Sequence, residues 1–295
     1  MFELLKEPSG VIALDDETLF VIEDESQRAL RRLQIQRDAN SLHFEEFAQT
    51  LGETVFERLK LHPLDDLEGI ARLSDTRFFV IGSHENASRS KQPEREKLVL
   101  FTRDNDMLRD VKVRRDLYDR LSATYPELAG KFDKRKNRNL NQLNIEALAY
   151  DRKRDQLLVG LRTPLLGNKA VIVRILNPER YLDGAKVRFS PDLQLIDLNK
   201  GGIRAMAYDD LTDKLLIVSK RETGKKQRSL LWTLAADGSD TPNRIKHFRK
   251  KQFDDVEGLT PLGNQILFVR DYSNDRSKHG DHWFTFERSS IYSDP

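Results

Sequence analysis

The sequence contains no cysteine. Disulfide bonds, thiolate metal ligands and a cysteine nucleophile are therefore excluded. No apolar run approaches the roughly 20 residues of a membrane-spanning helix, and the first seven residues, MFELLKE, lack the apolar segment of a signal peptide. We therefore expect a soluble, cytoplasmic protein with no membrane association.

Three common catalytic motifs are also missing. The chain has no glycine-rich phosphate loop, no HExxH motif and no GxSxG turn. Their absence excludes the P-loop NTPases, the zincin metalloproteases and the α/β-hydrolases. The formal net charge is only +2, so the overall balance does not favour nucleic acid as a partner.

What the sequence does contain is a motif that recurs five times. Its clearest copy is DLEGIARL at 66–73, which leads through a polar turn to the apolar run FFVI at 78–81. The other copies are SGVIAL at 9–14, NIEALAY at 144–150, GIRAMAY at 202–208 and DVEGL at 255–259. Each copy predicts a short strand, a polar turn and a second short strand.

The spacing of the repeat predicts the architecture. Its corresponding residues follow one another in steps of 59, 78, 58 and 53 residues: Ser9, Glu68, Glu146, Arg204 and Glu257. Repeats of about 40–50 residues with several strands each are typical of propeller blades. Third strands are predicted after each motif at 30–36, 97–102, 170–176, 229–234 and 282–287. We predict one all-β domain over 1–295, a five-bladed β-propeller, with six blades as the runner-up. A β-sandwich also fits the alternation but gives no reason to repeat one motif five times.

The long second step predicts a helical insertion between blades at 105–130. Its apolar stripe has irregular helical spacing and ends before Pro126 and Gly130: Leu108, Val111, Leu117, Leu121 and Tyr125. We expect this helix to lie outside the ring and to be dispensable for closing it. A shorter surface helix is predicted within 36–53 from the spacing of Phe44, Phe47 and Leu51.

Four stretches resemble successive motifs of the bacterial domain-of-unknown-function family 3616. They are GVIALDDETLFVIEDES, DLEGIA with FFVIGSHEN, NIEALAY with LLVGLRTP, and GGIRAMAY. The resemblance covers nearly the whole chain and implies a propeller-like fold, with no settled activity. A weaker likeness runs to the calcium-dependent apyrases, five-bladed nucleotidases built around a central calcium. That likeness is one of fold and motif placement.

In a propeller, the innermost strand of each blade runs along the axis, so the five motif residues should converge at one end of the channel. Three of them are carboxylates, Glu68, Glu146 and Glu257, and one is Arg204. Carboxylates this close repel one another unless something neutralises them. Ca²⁺ takes about six to eight oxygen ligands and favours carboxylates. The pattern therefore predicts a divalent-cation site, with calcium preferred, held by Glu68, Glu146 and Glu257.

The ends of the second strands carry a mixture of cations and carboxylates. Such a mixture suits a small phosphorylated ligand held between basic side chains and a metal. Arg162, Arg204 and Lys220 are the predicted phosphate-binding residues. His84 and Asp271 are the predicted catalytic groups for proton transfer. These assignments favour a metal-dependent phosphoric-ester or anhydride hydrolase.

The same residues allow a second hypothesis. The glutamates could form salt bridges with Arg204 and line a purely structural channel, and His84 could be a hydrogen-bonded structural histidine. The protein would then be a non-enzymatic binding propeller. Its protein partner would contact the insertion helix and the basic rim loops at 87–96, 131–139, 219–226 and 244–251. The sequence leaves both hypotheses open.

Overall fold

Short apolar strands separated by polar turns form the blades of this protein. The computed structural model describes residues 7–24, 30–38, 41–46, 65–85, 93–105, 107–129, 131–133, 138–140, 142–221, 229–245, 255–271 and 283–292. Within these residues, the first blade comprises β1 Pro8–Ala13, β2 Thr18–Glu23, β3 Leu30–Asp38 and β4 Ser41–Glu46. The second comprises β5 Leu67–Arg72, β6 Arg77–Gly82, β7 Leu98–Asp104 and β8 Met107–Arg114.

The remaining blades follow a small hairpin formed by β9 Lys131–Asp133 and β10 Arg138–Leu140. Blade 3 comprises β11 Asn144–Asp151, β12 Gln156–Leu166, β13 Lys169–Ile175 and β14 Gln194–Ile196. Blade 4 comprises β15 Gly202–Asp209, β16 Lys214–Lys220, β17 Ser229–Ala235 and β18 Asn243–Arg244. Blade 5 comprises β19 Val256–Leu262, β20 Gln265–Arg270 and β21 Trp283–Glu287.

Every blade is an antiparallel sheet whose strands are paired in sequence order. The innermost strands β1, β5, β11, β15 and β19 pack side by side, and β19 also packs against β1, which closes the ring. The described residues thus form a five-bladed β-propeller, which confirms the predicted fold class over its six-bladed alternative. The five third strands lie where the sequence predicts them, within two residues.

The hydrophobic core is divided among the five boundaries between neighbouring blades. One apolar cluster fills each boundary, including the closing one between blades 5 and 1. The second strand of a blade is covered on both faces and therefore reads as an uninterrupted apolar run. All six positions of β2 are buried, for example. This explains why these runs were the clearest strand signals in the sequence.

The predicted helix at 105–130 is wrong in its first half. Met107–Arg114 is β8, the fourth strand of blade 2, because pairing with β7 outweighs the weak helical spacing. Helix α1 is shorter, Leu117–Thr124, and a 3₁₀ turn follows at Pro126–Leu128. The helix also belongs to the core: Leu117 and Leu121 are fully buried in the cluster between blades 2 and 3.

The predicted helix within 36–53 is wrong where the structure describes it. Ser41–Glu46 is β4, which pairs with β3 in register from Leu33 opposite Glu46 to Asp38 opposite Ser41. The rest of that prediction, 47–53, lies outside the described residues. Phe44 therefore belongs to a strand and does not form part of a helical stripe.

Two further short helices connect or end the blades. Helix α2, Pro178–Leu182, packs against β7 and β8, and its Tyr181 is fully buried. Helix α3, Arg288–Tyr292, follows β21, and the Tyr292 hydroxyl donates to Asp209 of blade 4 at 2.6 Å. Among the described residues, no helix combines the length and the apolar character needed to cross a membrane.

Candidate functional site

Each innermost strand contains a β-bulge that falls on the repeated motif. In β5, Leu67 pairs with Gly82 and Gly69 with Ile81, so Glu68 is the extra residue of the strand. The other four strands show the same one-residue shift at Ser9, Glu146, Arg204 and Glu257. A bulge redirects its side chain away from the regular alternation of a strand. The five motif residues are therefore structurally equivalent.

The residue after each bulge is small, and crowding at the axis explains why. The five are Gly10, Gly69, Ala147, Ala205 and Gly258. A Cβ atom on Gly69 would lie 2.8 Å from the Leu148 Cβ and 2.9 Å from the Leu148 nitrogen. These distances are shorter than a carbon atom can tolerate. The small residue allows the inner strands of neighbouring blades to approach closely.

The bulges surround one end of the axis, where the structure has a cavity of about 470 Å³. The bulge residues line it together with residues two positions earlier and residues at the ends of the second strands. Nine of the lining residues are acidic: Glu7, Asp24, Asp66, Glu68, Glu85, Glu146, Asp255, Glu257 and Asp271. Three are basic: Arg162, Arg204 and Lys220. The wall therefore carries a large formal excess of negative charge.

An apolar ring separates this cavity from the other end of the axis. Its members lie two positions after each bulge, and each is at most 5% exposed: Val11, Ile70, Leu148, Met206 and Leu259. The axial space between the bulge residues and this apolar ring has a volume of only about 10 Å³. The charged cavity thus has an apolar floor, which lowers the local dielectric constant and disfavours the charged form of the carboxylates above it.

On blades 3, 4 and 5, three of the carboxylates pair with basic side chains. Arg204 Nη1 lies 2.5 Å from Glu146 Oε2, and Arg204 Nη2 donates to Glu257 Oε1. Arg162 Nη1 donates to Glu146 Oε1 at 2.6 Å, and Lys220 Nζ lies 3.1 Å from Asp255 Oδ1. This side of the cavity is therefore a network of ion pairs.

The pKa values on this side show how burial and ion pairing oppose each other. Burial raises the pKa of Glu257 to about 7, although Arg204 acts in the opposite direction. Burial disfavours the charged form of Arg204, but Glu257 and Glu146 raise its pKa above the ordinary value. Arg204 therefore remains a cation between two carboxylates.

On blades 1 and 2, the arrangement is different. Asp24, Asp66 and Glu68 each present a carboxylate oxygen, and these oxygens lie within 4.8 Å of one another. Glu68 is partly buried and makes no hydrogen bond or ion pair with any described residue. Burial raises its pKa well above the usual range, with further upward contributions from Glu146, Asp24 and Asp66. Three carboxylate oxygens at this spacing could hold a hard divalent cation.

The structure brings most of the predicted site residues together, in roles that differ from one another. Glu68, Glu146 and Glu257 all line the cavity, but only Glu68 belongs to the closely spaced carboxylate group. Glu146 and Glu257 are instead bound to Arg204. Arg162, Lys220 and Asp271 also line the cavity.

His84 lies apart from these residues. It is fully buried, it does not line the cavity, and its Nδ1 is 2.9 Å from the Gly82 carbonyl oxygen. Burial lowers the pKa of the imidazole to about 4. This position gives no support to a role in proton transfer within the cavity.

Asp24 and Asp66 were not assigned as metal ligands from the sequence. Asp66 lies two positions before its bulge and has a left-handed backbone, with φ of 59°. Glu7 and Asp255 occupy the same position in their blades and have φ of 50° and 63°. An acidic residue recurring two positions before the bulge is the signal that could have identified this second set of charges.

No family model and no curated protein matches the chain. Among solved structures, it is similar to the hydrazine synthase of Kuenenia stuttgartiensis, with a TM-score of 0.45 and 9% identity over 92% of this chain and 75% of that one. It is also similar to the endosialidase of phage phi92, with a TM-score of 0.40 and 10% identity over 89% of this chain and 50% of that one. Similarity at this level carries no argument about function. The likeness to family 3616 and to the apyrases stays a prediction.

Proposed function

We propose that the protein binds a divalent cation, with calcium preferred, at Asp24, Asp66 and Glu68 in the axial cavity. The observation that carries this proposal is the Glu68 carboxylate. It lies in the cavity wall without a direct counter-ion among the described residues, and two other carboxylates lie within 4.8 Å. A divalent cation neutralises such a group and accepts carboxylate oxygens as ligands.

The ion pairs on the other blades support this choice of ligands. Glu146 and Glu257 already share Arg204, and Glu146 also accepts a hydrogen bond from Arg162. A cation bound there would have to displace a buried guanidinium from its carboxylates, which is costly. The cation therefore binds on blades 1 and 2.

We further propose that the cation and the basic residues together bind a small phosphorylated ligand. Arg162 and Lys220 lie on blades 3 and 4, whereas the acidic group lies on blades 1 and 2. A phosphate between them would contact the cation on one side and the basic side chains on the other. The cavity volume of about 470 Å³ is within the range of small-molecule sites, about 300–1,000 Å³.

Hydrolysis of a phosphoric ester or anhydride is the reaction that such a complex would favour. A bound cation polarises a phosphoryl oxygen and acidifies a coordinated water. Asp271 lines the same cavity and is the candidate for proton transfer. The competing hypothesis is a non-enzymatic binding propeller, in which the charged bulge residues only line a structural channel.

The test of the cation site is the melting temperature of the full chain in EDTA and in calcium, magnesium or manganese chloride. Calcium at a hundredfold excess over Kd should stabilise the folded state by about 2.7 kcal/mol. Glu68→Gln preserves volume and removes the charge, so it should abolish most of this response. Glu127→Gln, at an exposed position that does not line the cavity, is the matched control and should respond like the parent.

Two results would contradict the proposal. If none of the three cations changes the melt of the parent, the axial cavity does not bind a metal. If Glu68→Gln keeps the full calcium response, the metal binds elsewhere.

The ligand is tested by calorimetry with pyrophosphate in calcium, where Lys220→Met should weaken binding. Phosphate release from ATP and p-nitrophenyl phosphate tests hydrolysis, and binding without release would identify a binding protein.

A further inference from the structure

We infer that Ser83 and Arg95 are positioning residues that hold one oxygen of Asp66 and leave the other for the cation. This inference rests on the proposed function, because it concerns one of the three proposed cation ligands. Neither residue lines the cavity. Both act through Asp66.

The backbone of Asp66 connects the ends of blades 1 and 2. Its amide donates to the Asp24 carbonyl at 3.2 Å, and its carbonyl accepts from the Ser83 amide at 2.9 Å. Asp24 and Asp66 are two of the three proposed ligands, so this hydrogen bond fixes the separation of their backbones. The left-handed φ of Asp66 is a conformation that aspartate tolerates better than most residues.

The side chain of Asp66 is held through a single oxygen. Its Oδ2 accepts a hydrogen bond from the Ser83 hydroxyl and lies 2.9 Å from Arg95 Nη1. Arg95 Nε donates in turn to Asp65 Oδ2 at 2.9 Å. No described residue donates a hydrogen bond to Asp66 Oδ1, which leaves that oxygen for a cation. Partners on the second oxygen of a ligating carboxylate orient it and are typical of metal sites.

The segment that carries Arg95 is itself fixed against the end of β6. The Arg95 carbonyl accepts from the His84 amide at 3.1 Å. A Cβ atom at position 82 would lie 2.3 Å from the Arg95 carbonyl oxygen, so only glycine permits this approach. The guanidinium therefore starts from a defined backbone position, and its side chain is only 18% exposed.

This geometry gives Arg95 a role distinct from that of a competing cation. Its guanidinium and the divalent ion would bind different oxygens of one carboxylate, so both can be present at once. Arg95 also offsets part of the repulsion among the acidic residues. Loss of such a partner typically weakens metal binding about 10- to 100-fold.

The experiment is calorimetric titration of the full chain with calcium chloride, using Arg95→Gln, Arg95→Lys and Ser83→Ala. Arg95→Gln should weaken calcium binding about tenfold or more. Arg95→Lys keeps the charge and should recover part of the affinity, and Ser83→Ala should show a smaller loss. Arg109→Gln removes an arginine that pairs with Asp104 on the outer strands of the same blade, and it should bind calcium like the parent.

The outcomes separate this inference from the proposed function. A parent that binds no calcium overturns both. A parent that binds calcium, together with an Arg95→Gln variant of equal affinity, overturns only the positioning role. Tighter binding by Arg95→Gln would identify Arg95 as a competitor of the cation and would also overturn it. Melting curves in EDTA verify that each variant is folded, and Ser83→Ala supplies the test if Arg95→Gln does not fold.

Discussion

The Arg204 guanidinium donates a hydrogen bond to the Glu257 carboxylate, 53 residues later, at the equivalent position of the next blade. The Nη1 atom of Arg204 pairs with Glu146, at the equivalent position of the preceding blade. One arginine therefore links three consecutive blades through their bulges. Because Arg204 is 12% exposed and Glu146 only 1%, these ion pairs are mostly shielded from water.

Replacing Arg204 by methionine should strongly destabilise the protein. The change leaves Glu146 and Glu257 without their shared cation in a buried site, which typically costs about 3–5 kcal/mol. Urea unfolding followed by circular dichroism measures the loss. Adding Glu257→Gln to Arg204→Met should recover much of the stability, since Glu257 is then neutral and Glu146 still has Arg162 as its partner. A single variant as stable as the parent would show that the arginine is not needed.

Acid should destabilise the protein partly through His84. Its folded-state pKa of about 4 lies below the ordinary value of 6.5, so its contribution is complete above pH 6.5 and is lost as the pH falls toward 4. The loss is on the order of 3 kcal/mol. His84→Asn removes the titrating group and suits the left-handed backbone at this position.

The measurement is urea unfolding of the parent and His84→Asn at intervals from pH 7.5 to 4. The difference between their free energies of unfolding should shrink, or change sign in favour of the variant, as the pH falls. Two parallel pH profiles would mean that His84 does not titrate differently in the folded and unfolded states.

Adding a methyl group at Gly69 should cost more than adding one at Gly10. At Gly69 the new atom meets the backbone nitrogen of Leu148 at 2.9 Å, whereas at Gly10 it meets the end of the Ile22 side chain at 3.0 Å. A side-chain end can move, but the inner strand of a neighbouring blade cannot. We expect Gly69→Ala to lose about 1–3 kcal/mol. Equal thermal shifts for the two variants would contradict this account of the axis.

Helix α1 should be required for stability, contrary to the expectation from sequence. Leu121 is fully buried between blades 2 and 3, so Leu121→Ala should cost about 2–5 kcal/mol. Thr124→Ala, at an exposed position of the same helix, is the control and should have little effect. If 117–128 can be replaced by a Gly/Ser linker without a change in melting temperature, the helix is peripheral after all.

The blade count was predictable because the motif and its apolar second strand were copied together. The helices were less predictable. Leu108, Val111 and Val113 have no strict helical or strand period, and only pairing of 107–114 with β7 selects the strand. Similarly, Phe44 has helical spacing with Phe47 and Leu51, yet its segment pairs with β3 as a strand of the sheet. In both segments, contacts distant in sequence decided the local structure.

The convergence of charges was also predictable, but the partnership of each charge was not. Sequence spacing identifies Glu68, Glu146 and Glu257 as equivalent residues. It does not reveal that Arg204 reaches the two neighbouring blades and leaves Glu68 to a different group. That distinction depends on which side chain is long enough to span a blade boundary. Asp24 lies beside Asp66 because its carbonyl accepts a hydrogen bond from the Asp66 amide. The spacing of residues in the sequence does not reveal this contact.

The recurring bulge makes the chemistry of the axis separable from its architecture. The backbone forms the same bulge in each blade, whether the bulge residue is serine, glutamate or arginine. The following small residue and the apolar ring carry the packing demands of that region. A lineage could therefore exchange one bulge side chain at a time and acquire a new ligand preference without refolding the blades.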